Sequence, residues 1–146
     1  MKKYVIVDID GTIANGEHRV HHLLQEPKDW DSYFSKCDGD KPIQEIINLV
    51  DALDFSGYHI VYCTGRRDSE REKTRAWLNA HKLPCSTLLM RKTGDCRHDT
   101  IVKPELLHGA GLMPTDVHFI LEDRNSMVKK WRELGFTCLQ VAEGDF

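Results

Sequence analysis

YVIVDIDGTI, residues Tyr4–Ile13, is the stretch that decides the fold. Tyr4–Val7 is a short apolar run rich in β-branched residues, the pattern of a buried strand. It ends on Asp8 and Asp10, and Gly11 and Thr12 turn the chain away. Side chains two apart on a strand point the same way, so the two carboxylates are expected together at its carboxyl end. Open α/β sheets bind ligands at that edge. Two carboxylates held close repel unless a cation or a shared proton relieves them. A hard cation such as Mg²⁺ suits the pair, because it takes oxygen ligands and keeps positions for water and phosphate.

Outward from this stretch, strands alternate with helices. Strands are expected at about 3–9, 58–63, 86–90, 117–121 and 136–141. Helices are expected from Pro42, with Ile43, Ile46, Ile47, Val50 and Leu53 at helical spacing, and after Asp68 or Ser69, with Trp77 and Leu78 inward. Two more follow, at about 100–110 and 125–134. Residues 15–41 read as a small polar insert with one or two helical turns. The alternation implies a Rossmann-like three-layer α/β sandwich, with a parallel sheet of about five strands. At 146 residues the chain is expected to form one domain with a core of its own.

Composition narrows the function classes. Five cysteines, an odd number without a C-x-x-C pair, suggest neither a disulfide framework nor a zinc ribbon. A reducing cytoplasm is the simplest home. The apolar stretch before Asp8 is too short for a signal peptide, and no run approaches the ~18 apolar residues of a membrane span. The net charge of −3 does not announce a nucleic-acid binder. Basic residues nevertheless cluster locally, at Arg66, Arg67, Arg71, Lys73 and Arg75 and again at Arg91, Lys92 and Arg97.

The acid pair has companions. Thr64 follows the second strand, Glu122 and Asp123 end the fourth, and Lys103 lies near the start of a helix facing the same edge. Acids suit a metal, and a hydroxyl and an ammonium suit phosphate oxygens. In this order DIDGT, CTGR, Lys103 and ILEDR resemble the four motifs of the haloacid dehalogenase superfamily of phosphohydrolases. Three longer stretches, TGRRDSEREKTRAWL, LLMRKTGDCRHDTIVKPELL and ILEDRNSMVKKWRELGFTCLQVAEGDF, are similar to the 3′-phosphatase domains of phage polynucleotide kinase-phosphatases.

The resemblance implies roles. Asp8 would be the nucleophile that forms an aspartyl-phosphate. Asp10 would act as general acid and base, with a raised pKa, while Asp8 stays ionised on the metal. Mg²⁺ would be bound by Asp8, the backbone carbonyl of Asp10, and Asp123, with Glu122 reaching it through water or only assisting. Lys103 and Thr64 would hold the transferring phosphoryl group. Arg19 and Arg66 would grip substrate phosphate, and Asp99, one helical turn before Lys103, would orient that ammonium. The superfamily usually shows two aspartates where this chain has Glu122-Asp123.

A small insert leaves the cleft open to a bulky substrate, so the first expectation is removal of 3′-phosphates from DNA or RNA ends, with 2′,3′-cyclic phosphates as a further substrate. The alternative is a nucleotidase acting on free nucleoside monophosphates. A signalling receiver domain would carry an acid at the end of the third strand, where this chain has Met90-Arg91. No G-x-x-x-x-G-K-[ST] loop occurs, so the kinase half is absent from this chain: the expectation is either a phosphatase that stands alone, with a kinase or ligase as candidate partner on another chain, or an excised domain. In the insert, Trp30, Tyr33 and Phe34 are expected to pack against the body, or else to stack on a base. His21 and His22 read as insert surface, or else as contacts to substrate.

Overall fold

The computed structural model describes residues 2–146. The central sheet is parallel and five-stranded. Its strands are β1 (Tyr4–Val7), β4 (His59–Arg67), β5 (Thr87–Arg91), β6 (Val117–Glu122) and β7 (Cys138–Gln140). A two-stranded antiparallel ribbon, β2 (Ala14–Asn15) with β3 (Lys41–Pro42), closes the insert at its base. The helices are α1 (His21–Leu24), α2 (Trp30–Ser35), α3 (Gln44–Phe55), α4 (Arg71–Ala80), α5 (Asp99–Gly109) and α6 (Asn125–Glu133).

The strand order β5-β4-β1-β6-β7 puts β1 at the centre. The chain runs outward on one side through β4 and β5, then returns to build β6 and β7 on the other. The crevice where the order reverses opens at the carboxyl end of β1, the end that carries Asp8.

The period of two along β1 sorts its side chains. Val5 and Val7 enter one core with Ile47 and Val50 of α3 and Trp77 and Leu78 of α4. Ile6 enters the other, with Leu107 of α5 and Met127, Val128 and Trp131 of α6. A strand covered on both faces needs the continuous apolar run that β1 has.

Pro42 does not open α3. Ile43 N–H donates to the Ile13 carbonyl at 2.8 Å, which draws residues 41–43 into the ribbon and delays the helix to Gln44. β4 runs four residues past the expected Cys63, so Thr64 lies inside the strand. Its register against β5 jumps between Thr64 and Arg67, a bulge that turns Arg66 into the interior.

Candidate active site

The turn after β1 is tight. The Ile9 carbonyl accepts from the backbone N–H groups of Thr12, Ile13 and Ala14. Gly11 has φ +81°, and a Cβ there would lie 2.0 Å from Asp123 Oδ2, so only glycine fits between the two acidic loops. The turn brings the Thr12 hydroxyl back to donate to Asp8 Oδ2 at 2.8 Å.

Asp8 is buried, and Lys103 Nζ, also buried, donates to its Oδ1 at 2.7 Å. The same ammonium donates to Glu122 Oε2 at 3.0 Å. Burial works against the charge on Lys103, but Asp8 and Glu122 override it and hold its pKa well above the ordinary value. One carboxylate oxygen each from Asp8, Glu122 and Asp123 lie within 4.8 Å of one another. Burial first, then the field of Glu122, raises Asp8 from 3.8 to about 7. Burial and the field of Asp8 raise Asp123 likewise to about 7. An all-oxygen donor set with this much mutual repulsion fits a hard divalent cation. Glu122 therefore spans two tasks: it is within reach of that cluster, and it shares Lys103 with Asp8.

Asp10 faces elsewhere. Its carboxylate accepts from Arg19 Nη2 at 2.5 Å, from Arg66 Nη2 at 2.8 Å and from Arg66 Nε at 3.1 Å. Both guanidiniums are fully buried. They also share buried Asp40, which accepts from Arg19 Nε at 2.8 Å, Arg19 Nη2 at 2.7 Å and Arg66 Nη2 at 3.0 Å. Burial alone would raise Asp10, but Arg66 and Arg19 outweigh it and lower its pKa to about 2. The expected rise in the Asp10 pKa is thus not found: it is lowered. The reason is that both arginines converge on Asp10, while Asp8 has a single lysine shared with Glu122. Arg19 and Arg66, expected to face phosphate, have most of their donors on Asp10, Asp40, Thr74 Oγ1 and the Tyr33 carbonyl. Asp40 carried no sequence signal beyond being one of several acids in a polar insert.

Thr64 is fully buried and its Oγ1 accepts from the Arg66 N–H at 3.1 Å, which leaves its own proton to donate. Asp99 does not hydrogen-bond Lys103. It pairs instead with Arg91 of β5 and, at 3.2 Å, with Arg124 after β6. Gly65 permits this: a Cβ there would stand 2.5 Å from Asp99 Oδ1. Asp99 acts on Lys103 through its field alone. Thr12, Arg91 and Arg124 join the site beyond the residues the sequence predicts. Thr12 was in plain view within the DIDGT motif, whereas the two arginines belong to charged stretches that sequence does not resolve.

His21 and His22 stack on each other at 4.0 Å, and His22 Nε2 lies 3.1 Å from Lys36 Nζ, inside the insert. Among the described residues no helix is long and apolar enough to cross a membrane.

A family model described as the polynucleotide kinase PNKP phosphatase domain matches residues 2–146. A solved structure titled "Structure of Pnkp1/Rnl/Hen1 complex" superposes with a TM-score of 0.86 at 33% identity, covering 100% of this chain and 48% of that one. A second, of the Pnkp1/Rnl/Hen1 RNA repair complex, gives 0.84 at 33% identity, covering 100% and 44%. This chain therefore spans less than half the length of those two. The phosphatidic acid phosphohydrolase 1 of Saccharomyces cerevisiae is 30% identical over 111 residues, 70% of this chain and 12% of that protein. The structure of a predicted phosphatase from Clostridium acetobutylicum, at 14% identity and a TM-score of 0.73, shares the fold over 96% of this chain and 84% of its own.

Proposed function

The chain belongs to the polynucleotide kinase PNKP phosphatase domain family, within the haloacid dehalogenase superfamily of phosphoric monoester hydrolases, and from that premise we propose that it removes phosphate from the 3′ ends of DNA or RNA. The observation that carries the chemistry is the meeting of Asp8, Lys103, Glu122 and Asp123 at the carboxyl ends of two adjacent strands.

Asp8 is the nucleophile. One of its oxygens forms a bond to phosphorus as the bond from phosphorus to the sugar oxygen breaks. Thr12 and Lys103 fix the carboxylate in one rotamer, so the attack needs no reorientation. Lys103 and the Thr64 hydroxyl neutralise and hold the phosphoryl oxygens. Mg²⁺, held by Asp8 and Asp123 with the Asp10 backbone carbonyl, would offset the repulsion between carboxylate and phosphate, with Glu122 assisting at the edge of that set.

Asp10 gives a proton to the departing sugar oxygen and then takes one from the water that opens the aspartyl-phosphate. Its two arginines favour the ionised form, which suits the second step. Proton donation is the more demanding half, because the same carboxyl must first be loaded.

The RNA repair context named for the structural neighbours supports a nucleic-acid end as substrate and a kinase or ligase as a partner. Turnover of a 3′-phosphorylated oligonucleotide against a free 3′-mononucleotide tests the reading. Preference for the oligonucleotide, weakened by added salt, is the expected result. Consumption of the mononucleotide alone would transfer the assignment to a nucleotidase.

A further inference from the structure

Trp30 opens α2 in the insert and is 46% exposed, whereas Trp77 and Trp131 are 4% and 1% exposed. Its helix start is fixed, because the Asp29 side chain caps it by accepting from Ser32 N–H at 3.0 Å. The indole lies against Phe34 at 5.7 Å and 23°, and Tyr33 meets it edge-on at 6.0 Å. Packing thus accounts for one side of the ring and leaves nearly half of the residue in solvent.

Two cations border the trio, and one of them, Arg67, is paired with the exposed Asp31 carboxylate at 2.7 Å, which leaves Lys28 as the cation open to a ligand. The Arg67 guanidinium sits 4.7 Å from the Phe34 centroid, and the exposed Lys28 ammonium is 5.8 Å from the Trp30 centroid. The aromatic cluster is also wired to the site. Arg19, which grips Asp10, donates to the Tyr33 carbonyl at 3.3 Å and lies 4.4 Å over the Tyr33 ring. Two packed residues therefore separate Trp30 from Asp10.

Resting on the nucleic-acid reading above, we infer that Trp30 is a stacking platform for a nucleobase near the phosphorylated end, with Lys28 available to the adjoining backbone phosphate. Every base has a flat π-face, so a half-exposed indole with a lysine beside it binds one without choosing its identity. A phosphate seated at Asp8 fixes one end of the strand, and the platform fixes the sugar and base attached to it.

The test has two arms. In Asp8→Asn protein, where no turnover intervenes, a single-stranded 3′-phosphorylated oligonucleotide is titrated while tryptophan fluorescence is read. Because the Trp131 indole N–H lies 3.5 Å from Glu122 Oε2 in the site, the same titration is run on the protein that also carries Trp30→Phe, and only the quenching lost there is assigned to Trp30. Quenching is expected with bases present and is expected to vanish when the last three sugars are abasic. In the second arm, Trp30→Ala and Trp30→Phe are assayed on the same oligonucleotides and on glycerol 2-phosphate, which has no base. Trp30→Ala is expected to raise KM for the base-bearing end by about 10- to 100-fold. Trp30→Phe should restore most of that loss, with glycerol 2-phosphate turned over as before.

Equal slowing of every substrate by Trp30→Ala would make Trp30 a packing residue and overturn the inference. So would unchanged KM together with absent quenching while the parent protein still processes the oligonucleotide. In those cases the phosphatase reading stands. Failure of the parent protein on any oligonucleotide, with baseless or mononucleotide esters still consumed, would overturn both.

Discussion

Lys103 Nζ sits 2.7 Å from Asp8 Oδ1, although 95 residues of sequence separate the two. The pair links β1 to α5 at the mouth of the crevice, and both partners are buried. An exposed ion pair would contribute little, but here neither group has water to fall back on.

Removing the cation is accordingly costly for chemistry. Lys103→Met should lower kcat by roughly 10²–10³-fold. The fold should persist, because Asp8, its pKa already raised to about 7, can take up a proton in place of the lost charge. Steady-state kinetics with circular dichroism checks both halves.

Asp8→Asn should abolish turnover and leave the fold intact. The amide is nearly isosteric, yet it supplies no nucleophilic oxygen. Residual activity at more than a trace would remove Asp8 from its role. Thr12→Val, which leaves Asp8 Oδ2 without its donor, should destabilise by about 1–3 kcal/mol, measurable by urea denaturation, whereas Thr12→Ser should be close to neutral.

Divalent cation and pH are linked with a definite sign. Asp8 and Asp123 hold their protons to about pH 7 in the folded protein and to about 3.8 when unfolded. Without a divalent ion, the contribution of these two groups to stability is therefore greatest at low pH and is lost as pH rises from about 4 to 7. A bound cation must displace those protons. The rise in Tm on adding Mg²⁺ should be larger at pH 8 than at pH 5.5, and EDTA should cancel it. A pH-independent shift in a thermal melt would contradict the assignment of these carboxylates.

Arg19→Ala should destabilise by about 3–5 kcal/mol, the cost of breaking a buried pair and leaving its partner charged. Asp40 would lose a two-pronged hydrogen bond and Asp10 its 2.5 Å contact. Denaturant unfolding measures this directly, and a change under about 1 kcal/mol would show that water replaces the guanidinium without penalty.

Gly11→Ala should reduce both stability and activity, because the new methyl would stand 2.0 Å from Asp123 Oδ2 in a backbone conformation with positive φ. A thermal melt and an activity assay on that variant suffice.

The sheet was legible because each strand is a short apolar run closed by turn residues or acids. That was enough to foresee Asp8, Lys103, Glu122 and Asp123 on one edge of the sheet. What could not be read is who partners whom. Arg66 lies two residues from Thr64 in sequence, yet a bulge that no local pattern announces turns its guanidinium onto Asp10, 56 positions away. Asp99 is one turn from Lys103, but the absent side chain at Gly65 lets it reach Arg91 instead. The direction of the Asp10 pKa has the same origin: two arginines decide it, and spacing alone places neither.

Asp40 comes from the insert, yet its side chain is fully enclosed between two guanidiniums that hold Asp10. The insert is consequently no detachable lid. Grafting a different one onto this scaffold would strip a countercharge from the two arginines that hold Asp10, so the insert and the charge state of that carboxyl cannot be re-engineered independently in this protein.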